Sequence, residues 1–134
     1  MKKTLIVGTV AFDEIETPQE KSGKILGGAA TYIGLSSALF NSKASIISIV
    51  GGDFDQKYLD LLKSKGLNTD SIEIISKGKT FYWKGKYHKD WNKRDTLSTQ
   101  LNVLAEFNPV VTKQDSSSEI IVLGNLHQPS KTLF

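Results

Sequence analysis

The chain has 134 residues, enough for one domain, and its 39% hydrophobic and 23% charged residues are typical of a globular protein. The absence of cysteine excludes disulfides and thiolate metal sites, and no apolar run is long enough to span a membrane. The net charge of +3 is small and spread out, so we expect no nucleic-acid or membrane partner. The apolar run after Met1 is too short for a signal peptide, which predicts a cytoplasmic protein.

The first half of the chain alternates apolar runs with helical patterns. Residues 3–8 form an apolar run that ends in glycine, typical of a buried strand, and an extended segment over 9–15 carries Asp13. A small-residue helix follows residue 28, and an almost wholly apolar strand covers 44–50. A second helix and a third apolar strand follow. This alternation favours a parallel sheet covered by helices.

The second helix has clear start and stop signals. Asp55 is a plausible N-cap, and Tyr58 and Leu62 lie on the apolar face of the helix. Lysines in the last turn, with Gly66 just beyond them, predict where it ends. The third strand is then expected over residues 72–75.

The pattern changes after residue 79. Aromatic-rich strands over 80–89, with a bend at Gly85, and an alternating stretch over 96–104 predict an antiparallel excursion from the α/β core. A last apolar strand is expected over 119–124. The residues after it are too few for the crossover helix that a parallel strand usually needs, so the chain is expected to stop within the architecture.

Basic and aromatic residues interleave in one stretch of this second half. Such a stretch can bind nucleic acid, but it is more typical of a solvated hairpin whose aromatic side chains pack on one side. The stretch contains Trp83, Lys84, Lys86, Tyr87, Lys89, Trp91, Lys93 and Arg94.

Two adjacent glycines, Gly27 and Gly28, connect an extended segment to the first helix. Glycine lets the backbone bend freely and lets a ligand approach without a Cβ in the way. We expect the first N–H groups of the helix to be unpaired and therefore to suit a hydroxyl or anionic ligand. The same pattern also fits a strand-to-helix turn packed tightly on a sheet.

Several familiar motifs are absent or incomplete. Gly78-Lys79-Thr80 imitates the end of a phosphate-binding P-loop, but Glu73 stands where the first glycine of that motif is required. No G-x-G-x-x-G stretch joins a strand to a helix, so a dinucleotide fingerprint is missing. The two histidines, His88 and His127, have no companions at metal-ligand spacing.

Four segments together resemble the N-terminal half of the ribokinase-like, or PfkB, carbohydrate and nucleoside kinases. They are the Gly-Thr-Val-Ala-Phe-Asp run over 8–13, the di-glycine, the small-residue helix and Val-Gly-Gly-Asp over 50–53. The resemblance implies an α/β fold, an incomplete three-layer Rossmann-like parallel sheet with an inserted antiparallel β lid. It also implies that residues 1–134 form the N-terminal, substrate-side part of such a domain. The lid segments would be about 12–26 and 79–104, and the C-terminal catalytic and ATP half would be absent.

The resemblance further implies ATP-dependent phosphorylation of a hydroxyl of a small sugar or nucleoside. Asp13 would accept hydrogen bonds from substrate hydroxyls, while Gly27 and Gly28 would act as a hinge and allow close approach. The lid would exclude water, and Phe81 or Trp83 could pack on the substrate or simply within a hairpin. A surface carboxylate on an edge strand is the alternative for Asp13. ATP and Mg²⁺ are implied, but their sites, and the catalytic base of a G-A-G-D motif, are not in this sequence.

Three positions depart from the family pattern. Gln56 stands where members often carry a glycine, three residues after the G-x-D aspartate. Tyr32 stands where members often have a sugar-contacting asparagine; it can stack on a ring, which suits a nucleoside, or belong to the core. His127 falls where members can place a substrate-contacting acidic residue; it can bond a hydroxyl or the backbone. The candidate substrate-binding residues are therefore Asp13, Gly27, Gly28, Tyr32 and His127.

Two hypotheses follow from the sequence. The chain is the N-terminal part of a sugar or nucleoside kinase, and alone it should not catalyse transfer because the catalytic parts are missing. Alternatively, it is a non-catalytic sugar- or nucleoside-binding module, or it forms a homodimer through the lid, since a sheet edge with exposed aromatic residues can pair.

Overall fold

The computed structural model describes residues 2–40 and 43–126. Through residue 75 its elements follow the predicted alternation. The strands and helices, in chain order, are β1 (Lys3–Val7), β2 (Ala11–Glu16), β3 (Lys21–Gly27), α1 (Ala29–Ala38), β4 (Lys43–Gly51), α2 (Gln56–Ser64), β5 (Leu67–Asn68), β6 (Ile72–Ile75), β7 (Tyr82–Tyr87), β8 (Arg94–Gln100) and β9 (Ile120–Leu123). Two short 3₁₀ helices cover Asn102–Glu106 and Asp115–Ser117.

The main sheet is parallel, as predicted. Its strand order is β5-β4-β1-β9, and β6 also pairs with β4. Leu5 of β1 lies opposite Ser45 of β4 on one side and Ile121 of β9 on the other. The central strands β1 and β4 are almost completely buried, which explains their continuous apolar sequence.

Two apolar clusters cover the two faces of the main sheet. On one face, Ile6 of β1 belongs to a cluster with Ala30 of α1 and Leu62 of α2. On the other face, Leu5 packs in a second cluster that contains Leu104. Successive residues of β1 therefore serve opposite faces, as strand geometry requires. No helix among residues 2–40 and 43–126 is both long and apolar enough to cross a membrane.

Helix α2 begins and ends where the sequence predicts. The side chain of Asp55 accepts a hydrogen bond from the backbone N–H of Lys57 at 3.0 Å, which confirms it as the N-cap. Lys63 lies in the last turn, and Gly66 beyond it has a φ of +87°. A left-handed residue at this position is a common helix stop.

A second sheet of four strands, in the order β3-β2-β7-β8, stands apart from the main sheet. The two outer pairs are antiparallel, whereas the central strands β2 and β7 run parallel to each other. The expected bend at Gly85 is a register shift between Lys84 and Gly85. A Cβ at Gly85 would lie 2.1 Å from the Trp83 ring, so this strand position has no room for a side chain.

One predicted strand is too long. The alternating stretch over 96–104 was expected to be extended throughout, but β8 ends at Gln100 and a 3₁₀ helix begins at Asn102. Leu104 in that helix and Phe107 after it are buried against the main sheet. Burial of these two side chains favours the 3₁₀ helix over the extended conformation that the alternating pattern predicts. Asn102, at a φ of +51°, makes the turn between the two conformations.

Candidate functional site

A cavity of about 620 Å³ lies between one face of the second sheet and the residues that follow β1 and β9. Its size falls within the range of small-molecule sites. Ligands of open α/β sheets bind outside the carboxyl ends of the strands, which is where this cavity opens. Its walls are formed by Thr9, Asp13, Ile15, Gly28, Ala29, Tyr32, Phe81, Trp83, Tyr87, Arg94, Leu101, Leu104, Asn125 and Leu126.

Asp13 lines this cavity from strand β2. The edge-strand alternative is wrong, because β2 lies inside the second sheet between β3 and β7. Burial raises the pKa of the Asp13 carboxyl above its ordinary value of 3.8, while the hydrogen bond from the backbone N–H of Gly28 opposes the rise. A half-buried carboxylate at a cavity wall is positioned to accept hydrogen bonds from a ligand.

The di-glycine has a different purpose at each position. A Cβ on Gly27 would lie 2.1 Å from Oδ2 of Asp13, so glycine there makes room for the carboxylate itself. Gly28 has a φ of +99°, and a Cβ on it would lie 2.4 Å from the carbonyl oxygen of Thr9. The groups that approach these two glycines closely are therefore the Asp13 side chain and the Thr9 backbone.

The N-terminus of α1 is not free, which corrects the expectation of unpaired N–H groups. Ala29 donates its N–H to Oγ1 of Thr9 at 2.9 Å, and Ala30 donates to the Thr9 carbonyl at 2.9 Å. The N–H of Gly28 is bonded to Asp13. Because these three donors are occupied, the start of α1 does not offer them to a hydroxyl or an anion in the cavity.

Tyr32 lies on the rim of the same cavity, one turn into α1, and its side chain is 54% exposed. It is therefore not a core residue, and its ring is accessible from the cavity. Of the five candidate residues, Asp13, Gly28 and Tyr32 line the cavity, and Gly27 lies behind Asp13. His127 lies outside the described residues.

Three aromatic residues of the second sheet and its approach also line the cavity: Phe81, Trp83 and Tyr87. The guanidinium of Arg94 lies 5.3 Å from the centre of the Trp83 ring. Sequence reasoning did not select Tyr87 or Arg94. Strand periodicity could have predicted Tyr87, because it lies four residues after Trp83 on β7, and residues an even number apart on a strand share a face.

The basic and aromatic stretch forms the β7–β8 hairpin, as predicted, and its charges do not share one face. Lys84 points away from the cavity wall and lies 3.8 Å from Glu14 and 3.3 Å from Glu16. On that side the Tyr82 hydroxyl donates to the Glu14 carboxylate, which is the main cause that raises the pKa of Tyr82 to about 12. Arg94 alone of the basic residues in this stretch lines the cavity within the described part of the chain.

Thr80, in the incomplete P-loop pattern, connects the two sheets. Asp53, in the turn after β4, accepts hydrogen bonds from the Thr80 N–H at 2.8 Å and from its hydroxyl at 2.7 Å. The same hydroxyl accepts the N–H of Gly51 at 3.0 Å. Thr80 is 1% exposed, and β7 begins two residues later. We call Asp53 and Thr80 the lid anchor, because they hold the start of the β7–β8 segment that the resemblance implies is part of a lid.

A metal–nucleotide site does not fit the described residues. Within 2–40 and 43–126, no group of three or more His, Asp or Glu side chains could hold a metal ion. The first donors of α1, which could otherwise bind a phosphate, are already bonded to Thr9 and Asp13.

Solved structures with the same arrangement define the fold class. The nucleoside kinase of Methanocaldococcus jannaschii, an archaeal member of the ribokinase family, is 22% identical and superposes with a TM-score of 0.73 over 93% of this chain and 46% of that one. The ribokinase of Cryptococcus neoformans var. grubii serotype A, in complex with ADP, is 18% identical with a TM-score of 0.74 over 92% and 42%. The chain therefore has the ribokinase fold.

Curated relatives agree with this fold. A cytidine kinase of Thermococcus kodakarensis is 30% identical over 90 residues, 67% of this chain and 32% of the relative. A nucleoside kinase of Methanothermobacter thermautotrophicus is 30% identical, and the match covers 64% of this chain and 37% of the relative. No protein-family model matches the chain. With its fold, these relatives show that the chain belongs to the ribokinase-like (PfkB) family of carbohydrate and nucleoside kinases. It spans about a third of the length of the curated relatives.

Proposed function

We propose that the chain provides the substrate-binding part of an ATP-dependent kinase that phosphorylates a hydroxyl of a small nucleoside or sugar. The observation that carries this proposal is the half-buried Asp13 carboxylate at the wall of a cavity of about 620 Å³. A carboxylate can accept hydrogen bonds from two neighbouring hydroxyls of a sugar ring at once. The second sheet would act as the lid, and residues 1–134 as the N-terminal, substrate-side part of the domain.

The walls of the cavity favour a nucleoside over a free sugar. Asp13 and Asn125 offer polar atoms for a ribose, whereas Trp83 and Tyr87 offer flat apolar surface for a base. Asp13 lies opposite Trp83 in the parallel β2–β7 pair, and Tyr87 lies four residues further along β7. In this proposal the ribose lies at Asp13, the base extends along β7, and Tyr32 closes the rim.

A kinase of this class uses ATP with Mg²⁺, which together supply the phosphoryl group and neutralise its charge. The described residues do not fit that site, so in this proposal ATP and Mg²⁺ are bound by other residues. Asp13 and the lid bind and orient the substrate and exclude water; they do not transfer the phosphoryl group. A cytoplasmic location and a homodimer through the lid stay predictions.

Titration calorimetry with ribonucleosides and with ribose tests the substrate site. We expect a nucleoside to bind, and Asp13→Asn, which keeps the shape of the side chain but removes its charge, to weaken binding about tenfold or more. Asp60→Asn, on the exposed surface of α2, is the matched control and should leave binding unchanged. Binding of neither nucleosides nor ribose would contradict the proposal.

The complete gene product then distinguishes a kinase from a binding module. We expect it to transfer phosphate from ATP to the nucleoside that binds, and Asp13→Asn to lower kcat/KM for that nucleoside. A full-length protein that binds nucleosides with the same dependence on Asp13 but transfers no phosphate would support the non-catalytic alternative.

A further inference from the structure

Among the described residues that line the cavity, Arg94 is the one with a positively charged side chain. It is the first residue of β8 and lies opposite Tyr87 in the β7–β8 pair. Its side chain reaches back over Trp83, where the guanidinium lies 5.3 Å from the ring centre. Lys84, on the other side of the sheet, is paired with Glu14 and Glu16, whereas no carboxylate of the described residues forms a salt bridge with Arg94.

The position of Arg94 relative to Asp13 fits the two ends of a nucleoside. Asp13 lies opposite Trp83, and Arg94 lies opposite Tyr87, four residues or roughly 13 Å further along β7. Because the guanidinium leans back over Trp83, it shortens this separation. A ribose held at Asp13 with its base extended along β7 would bring the base to the guanidinium, which lies over the Trp83 ring.

The chemistry of a guanidinium selects among bases. It stays charged at all relevant pH values and offers five N–H donors in a rigid fork but no acceptor. The edge of a 6-oxopurine presents two adjacent acceptors, O6 and N7, which a guanidinium binds in bidentate fashion. At the same edge adenine replaces O6 with an amino donor, which opposes a group that can only donate.

We propose that Arg94 contacts the base and makes this cavity selective for 6-oxopurine nucleosides, inosine or guanosine, over adenosine. Trp83 holds the guanidinium by a cation–π contact and leaves its N–H edge directed at the base. This inference rests on the proposed function, since it assumes that the cavity binds a nucleoside. It assigns specificity to the lid, while Asp13 binds the sugar that all ribonucleosides share.

Calorimetry with inosine and adenosine tests the inference on the wild-type chain and on Arg94→Met, Arg94→Lys and Lys93→Met. We expect inosine to bind about tenfold more tightly than adenosine, and R94M to remove that preference by weakening inosine alone. R94K keeps the positive charge but not the planar guanidinium, so it should retain only part of the preference for inosine. K93M removes a cation from the same hairpin outside the cavity wall and should change nothing.

A change on the ligand makes the test independent of protein stability. 7-Deazainosine has a carbon in place of N7 and keeps O6, so it should bind the wild-type chain more weakly than inosine but should bind R94M as inosine does. Equal binding of inosine and adenosine, or an inosine preference that survives R94M, would overturn the role of Arg94 while leaving the proposed function intact. Binding of ribose without any nucleoside would also overturn only the role of Arg94, whereas failure of every nucleoside and of ribose to bind would overturn both.

Discussion

Asp13 of β2 and Gly27, the last residue of β3, share one small volume beside the start of α1. The carboxylate of Asp13 occupies the place where a side chain at residue 27 would begin, 2.1 Å from an ideal Cβ. The N–H of Gly28 then binds that carboxylate, and Thr9 occupies the next two helix donors. At the scale of single residues, the di-glycine therefore positions the carboxylate that we assign to the substrate.

Gly27→Ala should destabilise the chain by about 2 kcal/mol, because the new methyl group and the Asp13 carboxylate cannot occupy the same space. Gly27 does not have a positive φ, so the substitution tests steric overlap and not backbone strain. Urea denaturation of the single variant, of D13A and of the double variant measures the effect. We expect a smaller cost of G27A in the D13A background, whereas equal costs in both backgrounds would show that Asp13 is not the cause.

The raised pKa of Asp13 makes a prediction about pH. The folded chain holds this proton more tightly than the unfolded chain, whose carboxyl titrates near the ordinary 3.8. The contribution of Asp13 to the free energy of unfolding therefore decreases as pH rises from about 4 through the raised pKa. Above that pKa the decrease is complete. Asp13→Asn should remove this decrease. The free energy of unfolding of the variant, relative to that of the wild type, should therefore increase as pH rises from about 4 through the raised pKa.

Urea denaturation across a pH series measures the difference between the two proteins. Asp60→Asn, an exposed carboxyl on α2, serves as the control and should follow the wild type. A wild-type chain that gains stability relative to D13N over the same pH range would contradict the assigned direction of the pKa shift.

At the scale of elements, the lid anchor decides how the second sheet is held. The hydroxyl of Thr80 both donates to Asp53 and accepts from Gly51, so it joins the end of β4 to the start of β7. Asn102 adds a hydrogen bond of 2.9 Å from its side chain to the Thr80 carbonyl. These contacts hold the segments before and after the β7–β8 hairpin together and attach them to the end of β4.

Thr80→Val should destabilise the chain by about 2 kcal/mol, because it leaves the buried N–H of Gly51 without its acceptor. Thr99→Val, on the exposed part of β8, changes the same group at a site without such contacts and should cost little. Urea denaturation gives the stability, and hydrogen exchange of β7 amides reports opening of the lid. Protection of β7 equal to that of the wild type, with unchanged stability, would refute the anchor.

Sequence patterns predict the elements of this chain where one local signal dominates. The apolar runs of β1 and β4 and the cap signals of α2 are such cases. The end of β8 is not set by one local signal, because burial of Leu104 against the main sheet competes with the regular alternation of its sequence. The parallel pairing of β2 with β7 is also not local, since these strands are far apart in sequence.

The candidate site is predictable to the same extent. Asp13 and the di-glycine can be selected because their motif is contiguous or nearly so. The occupation of the α1 donors by Thr9 depends on how the chain after β1 packs against the helix, which no spacing reveals. Arg94 enters the cavity through the register of β8 on β7, and its basic neighbours have the same charge without the same position.

At the scale of the whole molecule, the two sheets share a core. Phe12 of β2 packs against Phe54 at 5.6 Å and against Tyr58 of α2 at 5.5 Å between ring centres. Ile6 of the main sheet and Phe12 belong to the same apolar cluster. The lid is therefore connected to the α/β core by buried aromatic contacts as well as by the lid anchor.

A shared core should make the chain unfold in one step. Trp91→Phe leaves Trp83 as the sole tryptophan, so its fluorescence reports the second sheet, while far-UV circular dichroism reports all elements. We expect both signals to change at the same urea concentration. A Trp83 transition at lower urea than the circular dichroism transition would show that the lid unfolds independently of the core.

The measurement that tests the central claim most directly is a nuclear magnetic resonance titration of the ¹⁵N-labelled chain with inosine. If the cavity at Asp13 binds a nucleoside, the indole N–H of Trp83 and the amide of Gly28 should shift together and reach saturation. Both shifts should weaken in Asp13→Asn, and the W91F variant assigns the indole signal. Unchanged Trp83 and Gly28 signals at saturating inosine, or shifts confined to residues away from the cavity, would contradict it.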